Sequence, residues 1–535
     1  MSALLHQMLE ESARRAPDAV AVVDGDRVIT YQELDERANQ LARTLLVAGA
    51  SRGDRIGLYL DKSIESFVGL YAVLKAGCAY VPLDSDGPPA RLGAILADCA
   101  VTCLVTESRL GARWPELKRT GAPLTTLIVI DAPTPPLVEG MTAIAADVVR
   151  AQPTGPPPER STCFDLAYIL YTSGSTASPK GVMLSHLNGA TFVEWAVRTF
   201  GVHAGDRVSS HAPLHFDLSI FDVFAAARAG AAVVLVRGRT MAFPALLARL
   251  IADKEISVWY SVPSALTMLA TRGGLTVGDL PSLRVVLFAG EVFPIKHLRR
   301  LMALLPHARF CNLYGPTETN VCTWYDVPPL TEDRAEAVNE LPIGGAIDGV
   351  EVLAVTDDGL EAAVGEAGEL VVRGPTVMQG YWGDADRTAA ALVPHPIRPG
   401  LPHPVYRTGD LVVRLGDGQY RFLGRRDSQV KSRGYRIELG EVEKVIDQNA
   451  DVIECAVVAV PDELVTNVLH AYVVTRREVT LPALIGFCAY RLPKHMIPVT
   501  FTFVGNLPRT STGKIDRRSL AERSVPVTKE PRWTP

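Results

Sequence analysis

Apolar positions along the chain change spacing in a regular order. In residues 31–50 (YQELDERANQLARTLLVAGA), Leu34, Ala38, Leu41, Ala42, Leu45 and Leu46 recur at helical spacing, and Gly49 supplies a stop. Residues 55–60 (RIGLYL) form a short continuous apolar run, the pattern of a buried strand, and residues 64–77 (IESFVGLYAVLKAG) read as the helix that follows. This βαβ rhythm predicts an α/β fold with a parallel sheet covered by helices. Proline-rich stretches at 131–140 and 152–160 cannot form helix or strand interiors and predict a surface excursion between two lobes. Strands are expected again near 166–171, 231–236, 256–262 and 284–289, with helices between them. Residues 340–425 are rich in glycine and β-branched residues and predict a meander of short antiparallel strands.

A boundary is expected near 426. Beyond it, residues 427–535 read as a compact α+β unit of roughly a hundred residues, the size of a small domain. The expected division is therefore a large multi-lobed domain over 1–426 and a small one over 427–535.

Composition narrows the function. The 535 residues are 47% hydrophobic and 21% charged, which excludes a mostly disordered chain. The net charge of −5 lacks the global basic field of a nucleic-acid binder, so no nucleic-acid partner is expected. Eight cysteines without a CxxC pair read as reduced core residues of a cytoplasmic protein. The longest apolar stretch, 224–236, carries Arg228 and is shorter than the ~20 residues a membrane span needs. No targeting segment opens the chain, and the expectation is a soluble, cytoplasmic protein without a membrane partner.

Chemistry concentrates first in residues 166–186 (LAYILYTSGSTASPKGVMLSH). An apolar strand runs directly into Thr172, Ser173, Gly174, Ser175 and Thr176, followed by Pro179, Lys180 and Gly181. Small hydroxyl residues and glycine expose N–H and O–H groups that can wrap phosphate oxygens, and Lys180 can add charge. The arrangement is not a Walker A loop, in which the lysine precedes Ser or Thr.

This loop resembles the phosphate loop of the adenylate-forming superfamily, which comprises acyl-CoA synthetases, luciferases and nonribosomal peptide synthetase adenylation domains. The resemblance extends over nearly the whole chain. LKAGCAYVPLD (74–84), FDLS (216–219), NLYGPTE (312–318), GELVVRG (368–374), YRTGD (406–410), GRRDSQVKSRGYRIELGEVE (424–443), LPKHMIP (492–498) and TGKIDR (512–517) follow in family order. Their wording resembles amino-acid-activating members more than acyl-CoA synthetases. The resemblance implies two parallel-rich sheets flanked by helices, a small antiparallel β lobe and a mobile C-terminal domain.

It also implies ATP and Mg²⁺ as cofactors. Tyr314 would stack on adenine, Asn312 would bond the adenine edge, and Gly290 and Glu291 would flank the base. Thr317, beside Gly315, would contact the α-phosphate, and Glu318 would hold Mg²⁺, which favours few carboxylates together with phosphate oxygens. Asp410 would accept the ribose hydroxyls, and Arg425 would support the ribose or phosphate. Lys514 would bridge the substrate carboxylate and the ATP phosphates, supplying the cation that two approaching anions require. His215, just before the FD pair, could gate the carboxylate or simply pack. Asp427 matches the family hinge, with Lys431 and Gly434 on the loop beyond it.

For the acid substrate, Asp217 of FDLS would bind an α-ammonium, because a buried carboxylate without a cationic partner is costly. The family's pocket positions fall on Asp217, Leu218, Phe221, Tyr260, Leu287, Ala289, Leu313, Val321, Cys322 and Lys514. Apart from the two charged ends and the Tyr260 phenol, the lining is apolar, which suits a small compact amino acid. The set resembles the pocket of free-standing prolyl adenylation enzymes, which start pyrrole and prodiginine-type pathways. The expected reaction is activation of L-proline to L-prolyl-AMP and its transfer to a phosphopantetheine thiol. The 21 residues after Lys514 are too few for a further domain, so the thiol is expected on a separate peptidyl carrier protein. The alternatives are a ligase for another small apolar amino acid, an aryl or acyl-CoA ligase, and a non-catalytic adenylate-binding protein. Two positions depart from the family wording: Ala177 replaces a glycine, and Thr512 replaces an asparagine.

Overall fold

A computed structural model describes residues 4–136, 138–174, 179–330, 340–427, 429–462, 464–509 and 515–524. Its first long sheet has nine strands, in the order Gly345–Ala346, Thr323–Asp326, Arg309–Tyr314, Val285–Phe288, Val258–Ser261, Arg207–Ser210, Ala232–Leu235, Val20–Asp24 and Arg27–Thr30. The six strands from Arg309–Tyr314 to Val20–Asp24 pair in parallel. The edges are antiparallel. The second sheet has eight strands, parallel from Thr142–Ile144 to Leu166–Thr172. It is completed in antiparallel fashion by Lys180–Ser185 and Gly380–Tyr381. A five-stranded antiparallel sheet over residues 351–425 is the expected meander.

Helix boundaries follow local capping chemistry. Thr30 and Glu33 form a reciprocal capping box at the start of Tyr31–Val47, satisfying orphan backbone donors. Ser185 and Asn188 do the same for His186–Phe200, which Gly201 ends with φ +59. One large apolar core joins residues of both long sheets and of the helices packed on them, with Tyr71, Tyr168, Phe221 and Tyr260 buried in it. The proline-rich segments are irregular as expected, except that a short strand, Thr142–Ile144, and a helix, Ala146–Arg150, lie between them.

From Ile437 onward the chain closes a core of its own, built on Ile437, Val442, Ile446, Val457, Val473 and Leu484. Here Val452–Asp462, Thr466–Thr475 and Thr500–Phe503 form a three-stranded sheet. This C-terminal lobe is preceded by a two-stranded hairpin, Gln429–Ser432 with Tyr435–Glu438. Among the described residues, no helix is long and apolar enough to cross a membrane.

Candidate active site

The parallel strands end at one cavity. The strand Leu166–Thr172 delivers Thr172 and Ser173, and Val258–Ser261 delivers Tyr260. Ala289 and Gly290 follow Val285–Phe288, and Gly315, Pro316 and Thr317 follow Arg309–Tyr314. Ligands of open α/β sheets bind at such carboxyl ends. The cavity encloses about 150 Å³. Its walls also include His215, Asp217, Leu218, Val321, Asp410 and Arg425.

Asp217 sits in the turn between the strand Arg207–Ser210 and the helical segment that leads into Phe221–Ala225, and receives a hydrogen bond from the Thr317 hydroxyl at 2.6 Å. Burial raises its carboxyl pKa, while the Thr317 bond and the nearby Lys431 charge pull the other way. Around it, Leu218, Tyr260, Ala289 and Val321 give an apolar wall. Phe221 stands behind Tyr260, edge to face at 5.5 Å between ring centroids. Leu287, Leu313 and Cys322 are buried but do not line the cavity. Phe221 opens a turn of π-helix, Phe221–Ala225, an irregularity often found at functional sites.

At the other end, Asp410 accepts hydrogen bonds from the Tyr314 hydroxyl and the Arg425 guanidinium. Arg425 also bridges to Asp427 through two bonds of 2.7 Å. Asn312 donates to the Pro342 carbonyl at 2.8 Å and does not reach the cavity. Glu291 accepts from the backbone N–H groups of Ser264 at 2.9 Å and Gly434 at 2.6 Å. His215 packs edge-on against Phe216, and burial lowers its pKa.

Glu318 is fully buried and holds three partners. Its Oε1 accepts from Lys180 Nζ at 3.0 Å and from the Tyr381 hydroxyl at 2.8 Å. Arg436 Nη1 spans both oxygens at 3.0 and 2.8 Å. Burial alone would raise the Glu318 pKa, but the Arg436 and Lys180 charges hold it well below the usual carboxylate range. A carboxylate that already attracts two cations has the chemistry to hold a divalent ion, and the Arg436 guanidinium acts as a stand-in cation there. Glu318 therefore fits Mg²⁺, provided that Arg436 can leave.

Three groups were given no role by the sequence. Arg436 enters the site on the hairpin 429–438 that folds over the cavity, Glu441 follows on the helix Leu439–Asp447, and Arg91 comes from the helix Pro89–Asp98. Glu441 accepts from Gly174 N–H at 3.2 Å and pairs with Arg91. The hairpin turns through Arg433 and Gly434, with φ of +52 and +79, a tight turn that favours glycine. Lys431 and Arg436 face each other across it. Two like charges directly opposite are unfavourable unless acids await them, and that was the legible signal. Lys431, expected on the hinge loop, instead lines the cavity near Asp410 and Asp217. Burial lowers its pKa, against those two carboxylates. Ser175, Thr176, Ala177, Thr512 and Lys514 lie outside the described residues.

With this α/β fold and a cavity at the strand ends that carries both acidic and basic groups, the chain belongs to the AMP-binding enzyme family of adenylate-forming enzymes. The family model for the AMP-binding enzyme matches residues 9–382, and that for its C-terminal domain matches residues 441–514. The chain is 41% identical to the L-proline--[L-prolyl-carrier protein] ligase of Pseudomonas fluorescens, over 97% of this chain and 99% of that protein. It is 38% identical to the protein of the same name from Streptomyces coelicolor, over 94% of this chain and 93% of the relative. The crystal structure of IdnL1 superposes with a TM-score of 0.77 at 29% identity, covering 95% of this chain and 99% of that one.

Proposed function

We propose that the protein activates L-proline with ATP to L-prolyl-AMP and transfers the prolyl group to the phosphopantetheine thiol of a separate peptidyl carrier protein. One observation carries this reading. The half-buried Asp217 carboxylate faces a cavity of about 150 Å³ in which Leu218, Tyr260, Ala289 and Val321 form an apolar wall beside it. That combination suits a small amino acid with an uncharged side chain, and the two relatives named for proline support the choice within that class.

In this reading the secondary ammonium of proline gives its two N–H bonds to Asp217, and the ring fills the space beside Leu218, Tyr260, Ala289 and Val321. The substrate carboxylate oxygen attacks the α-phosphorus, the α–β phosphoanhydride bond breaks, and pyrophosphate leaves. Lys514 is the cation assigned to this step. Asp410 and Arg425 are assigned to the ribose, and Ser173, Gly174 and Lys180 to the phosphates. Glu318 would hold Mg²⁺, which supplies charge neutralisation to the β- and γ-phosphates when bound. In the second step the carrier thiol attacks the acyl carbonyl, and AMP leaves.

We assign residues 1–426 to the body and 427–535 to a mobile lobe that turns about Asp427 between the steps. The arrangement described above has the hairpin 429–438 over the cavity, which supports the second step. Cytoplasmic ATP makes the cytoplasm its place of action.

Pyrophosphate exchange across the amino acids, both proline enantiomers included, tests the substrate. Exchange highest with L-proline is expected, and a larger response to valine or phenylalanine would overturn the choice. Thioester formation with a phosphopantetheinylated carrier, compared with free coenzyme A, tests the acceptor.

A further inference from the structure

The segment that carries Asp217 is gripped from the other long sheet. The strand Arg55–Tyr59 of the eight-stranded sheet leads to Lys62, just ahead of the helix Ile64–Lys75. Lys62 Nζ donates to three consecutive carbonyls, those of Ser210 at 2.6 Å, His211 at 2.9 Å and Ala212 at 3.1 Å. These carbonyls close the strand Arg207–Ser210 of the nine-stranded sheet and open the segment that leads to Asp217. Three acceptors need three N–H donors, which a lysine has only as the charged ammonium. A counter-charge lies nearby. Asp222 is fully buried, neither of its oxygens has a hydrogen-bond partner among the described residues, and its charge and that of Lys62 act on each other. Burial lowers the Lys62 pKa, and the Asp222 charge opposes that. From the grip to Asp217 the path is stiff. The Phe216 N–H donates to the Pro213 carbonyl at 3.0 Å. The Ser219 hydroxyl binds the carbonyls of Leu214 at 3.2 Å and Phe216 at 2.6 Å. The helix that follows Lys62 also holds the far end, where the Tyr71 hydroxyl donates to the Val223 carbonyl of the π-helical turn at 3.3 Å.

We propose that Lys62 is a positioning residue for amino-acid binding: its ammonium fixes the end of the strand Arg207–Ser210 and thereby the direction in which Asp217 meets the substrate ammonium. The proposal rests on the reading of Asp217 as that ligand. Lys62 does not line the cavity, so it acts through the backbone it holds. Without the ammonium, three carbonyls at the root of the segment lose their donor at once, and they turn toward whatever donors remain. The segment then has to be ordered when the substrate binds, and that cost weakens binding. The cost falls on proline. Asp410, Arg425, Ser173 and Lys180, assigned above to ATP, sit on other strands and keep their places.

Pyrophosphate exchange on the full chain provides the test, with AMP binding by calorimetry as the check that each variant is folded. Lys62→Met should raise KM for proline about 10-fold and leave kcat and KM for ATP within about 3-fold, whereas a general loss of structure would lower kcat and weaken both substrates. Lys62→Arg, which keeps a cation with several N–H donors, should recover to within about 3-fold of wild type. Lys62→Gln keeps two N–H donors without the charge and should fall between Met and Arg, and it carries the test if Lys62→Met does not bind AMP. In an Asp217→Asn background the same Lys62 substitution should change kcat/KM for proline by less than about 2-fold, because the group it positions is gone. An unchanged KM for proline, equal losses on proline and ATP, or a loss that persists in full beside Asp217→Asn would overturn the proposal. Asp217→Asn alone separates this from the underlying reading. If it leaves KM for proline unchanged, the reading of Asp217 fails whatever Lys62 does.

Discussion

The hydroxyl of Thr317 donates a hydrogen bond to Oδ2 of Asp217 across 2.6 Å, joining the nucleotide motif to the substrate motif. The two residues lie a hundred positions apart in sequence. The bond fixes the carboxylate that is proposed to hold the proline ammonium. A hydrogen bond to a charged group is worth ~1.5–3 kcal/mol, so Thr317→Val should weaken proline binding about 10- to 100-fold. Thr317→Ser, which keeps the donor, should restore most of it. Calorimetric titration with proline alone reads this without interference from the nucleotide step.

The same carboxylate sets a pH dependence. Burial raises the Asp217 pKa, partly offset by Thr317 and Lys431. Only the ionised form pairs with an ammonium, so a proton competes with the substrate. kcat/KM for proline should therefore fall as pH decreases, and begin to fall above the ordinary aspartate value of about 4. Because removing the Thr317 donor raises that pKa further, the fall should start at higher pH in Thr317→Val. Asp217→Asn should lose about 100-fold or more in proline binding, since it leaves a buried cation unpaired. A profile in wild type that is flat down to pH 4 would remove Asp217 from ammonium binding.

Much of this architecture was legible because the parallel strands are short apolar runs between strongly periodic helices. The runs at 166–171, 256–262 and 284–289 differ from the observed strands by no more than two residues at any end. The site was legible where a motif places a side chain directly beyond a strand end, as with Ser173, Ala289 and Thr317. It was less so where register decides. Leu287 and Leu313 lie two positions short of Ala289 and Gly315, which do line the cavity, and are buried without reaching it, and Asn312 turns to the Pro342 carbonyl. Arg436 and Glu441 were missed because their partners, Glu318 and Gly174, lie in other lobes at sequence separations of 118 and 267. The like charges of Lys431 and Arg436 opposed across the hairpin call for acids, but no local pattern reports which acids they meet.

The two lysines assigned to the site should fail in opposite half-reactions. Lys431 lines the cavity near Asp217 and Asp410 when the hairpin is docked. Lys431→Ala should keep pyrophosphate exchange within a few-fold of wild type and slow transfer from preformed prolyl-AMP about 10²-fold, the scale for losing one electrostatic stabiliser. Lys514→Ala should instead lose about 10²–10³-fold in exchange and leave that transfer near wild type. Single-turnover assays started from ATP and from synthetic prolyl-AMP distinguish the two. Equal losses by either variant in both assays would place that lysine in a structural role.

Gly434 offers a purely steric test of the docked hairpin. Its φ is +79, and a Cβ built there would meet Val262 Cγ1 at 2.4 Å, closer than any tolerated contact. Gly434→Ala therefore opposes docking in two ways, through the clash and through a left-handed backbone that costs ~1–2 kcal/mol for a residue with Cβ. The body of the cavity is untouched, so pyrophosphate exchange should stay near wild type while carrier loading falls about 10-fold or more. Val262→Ala removes both γ-methyl groups and leaves the Val262 Cβ at 3.1 Å. The double variant should therefore recover the steric part of the loss and retain the backbone part. Carrier loading measured by intact-protein mass spectrometry reads both variants. If Gly434→Ala lowers exchange as much as loading, the hairpin takes part in adenylation as well, and the division of labour between the lobes is wrong.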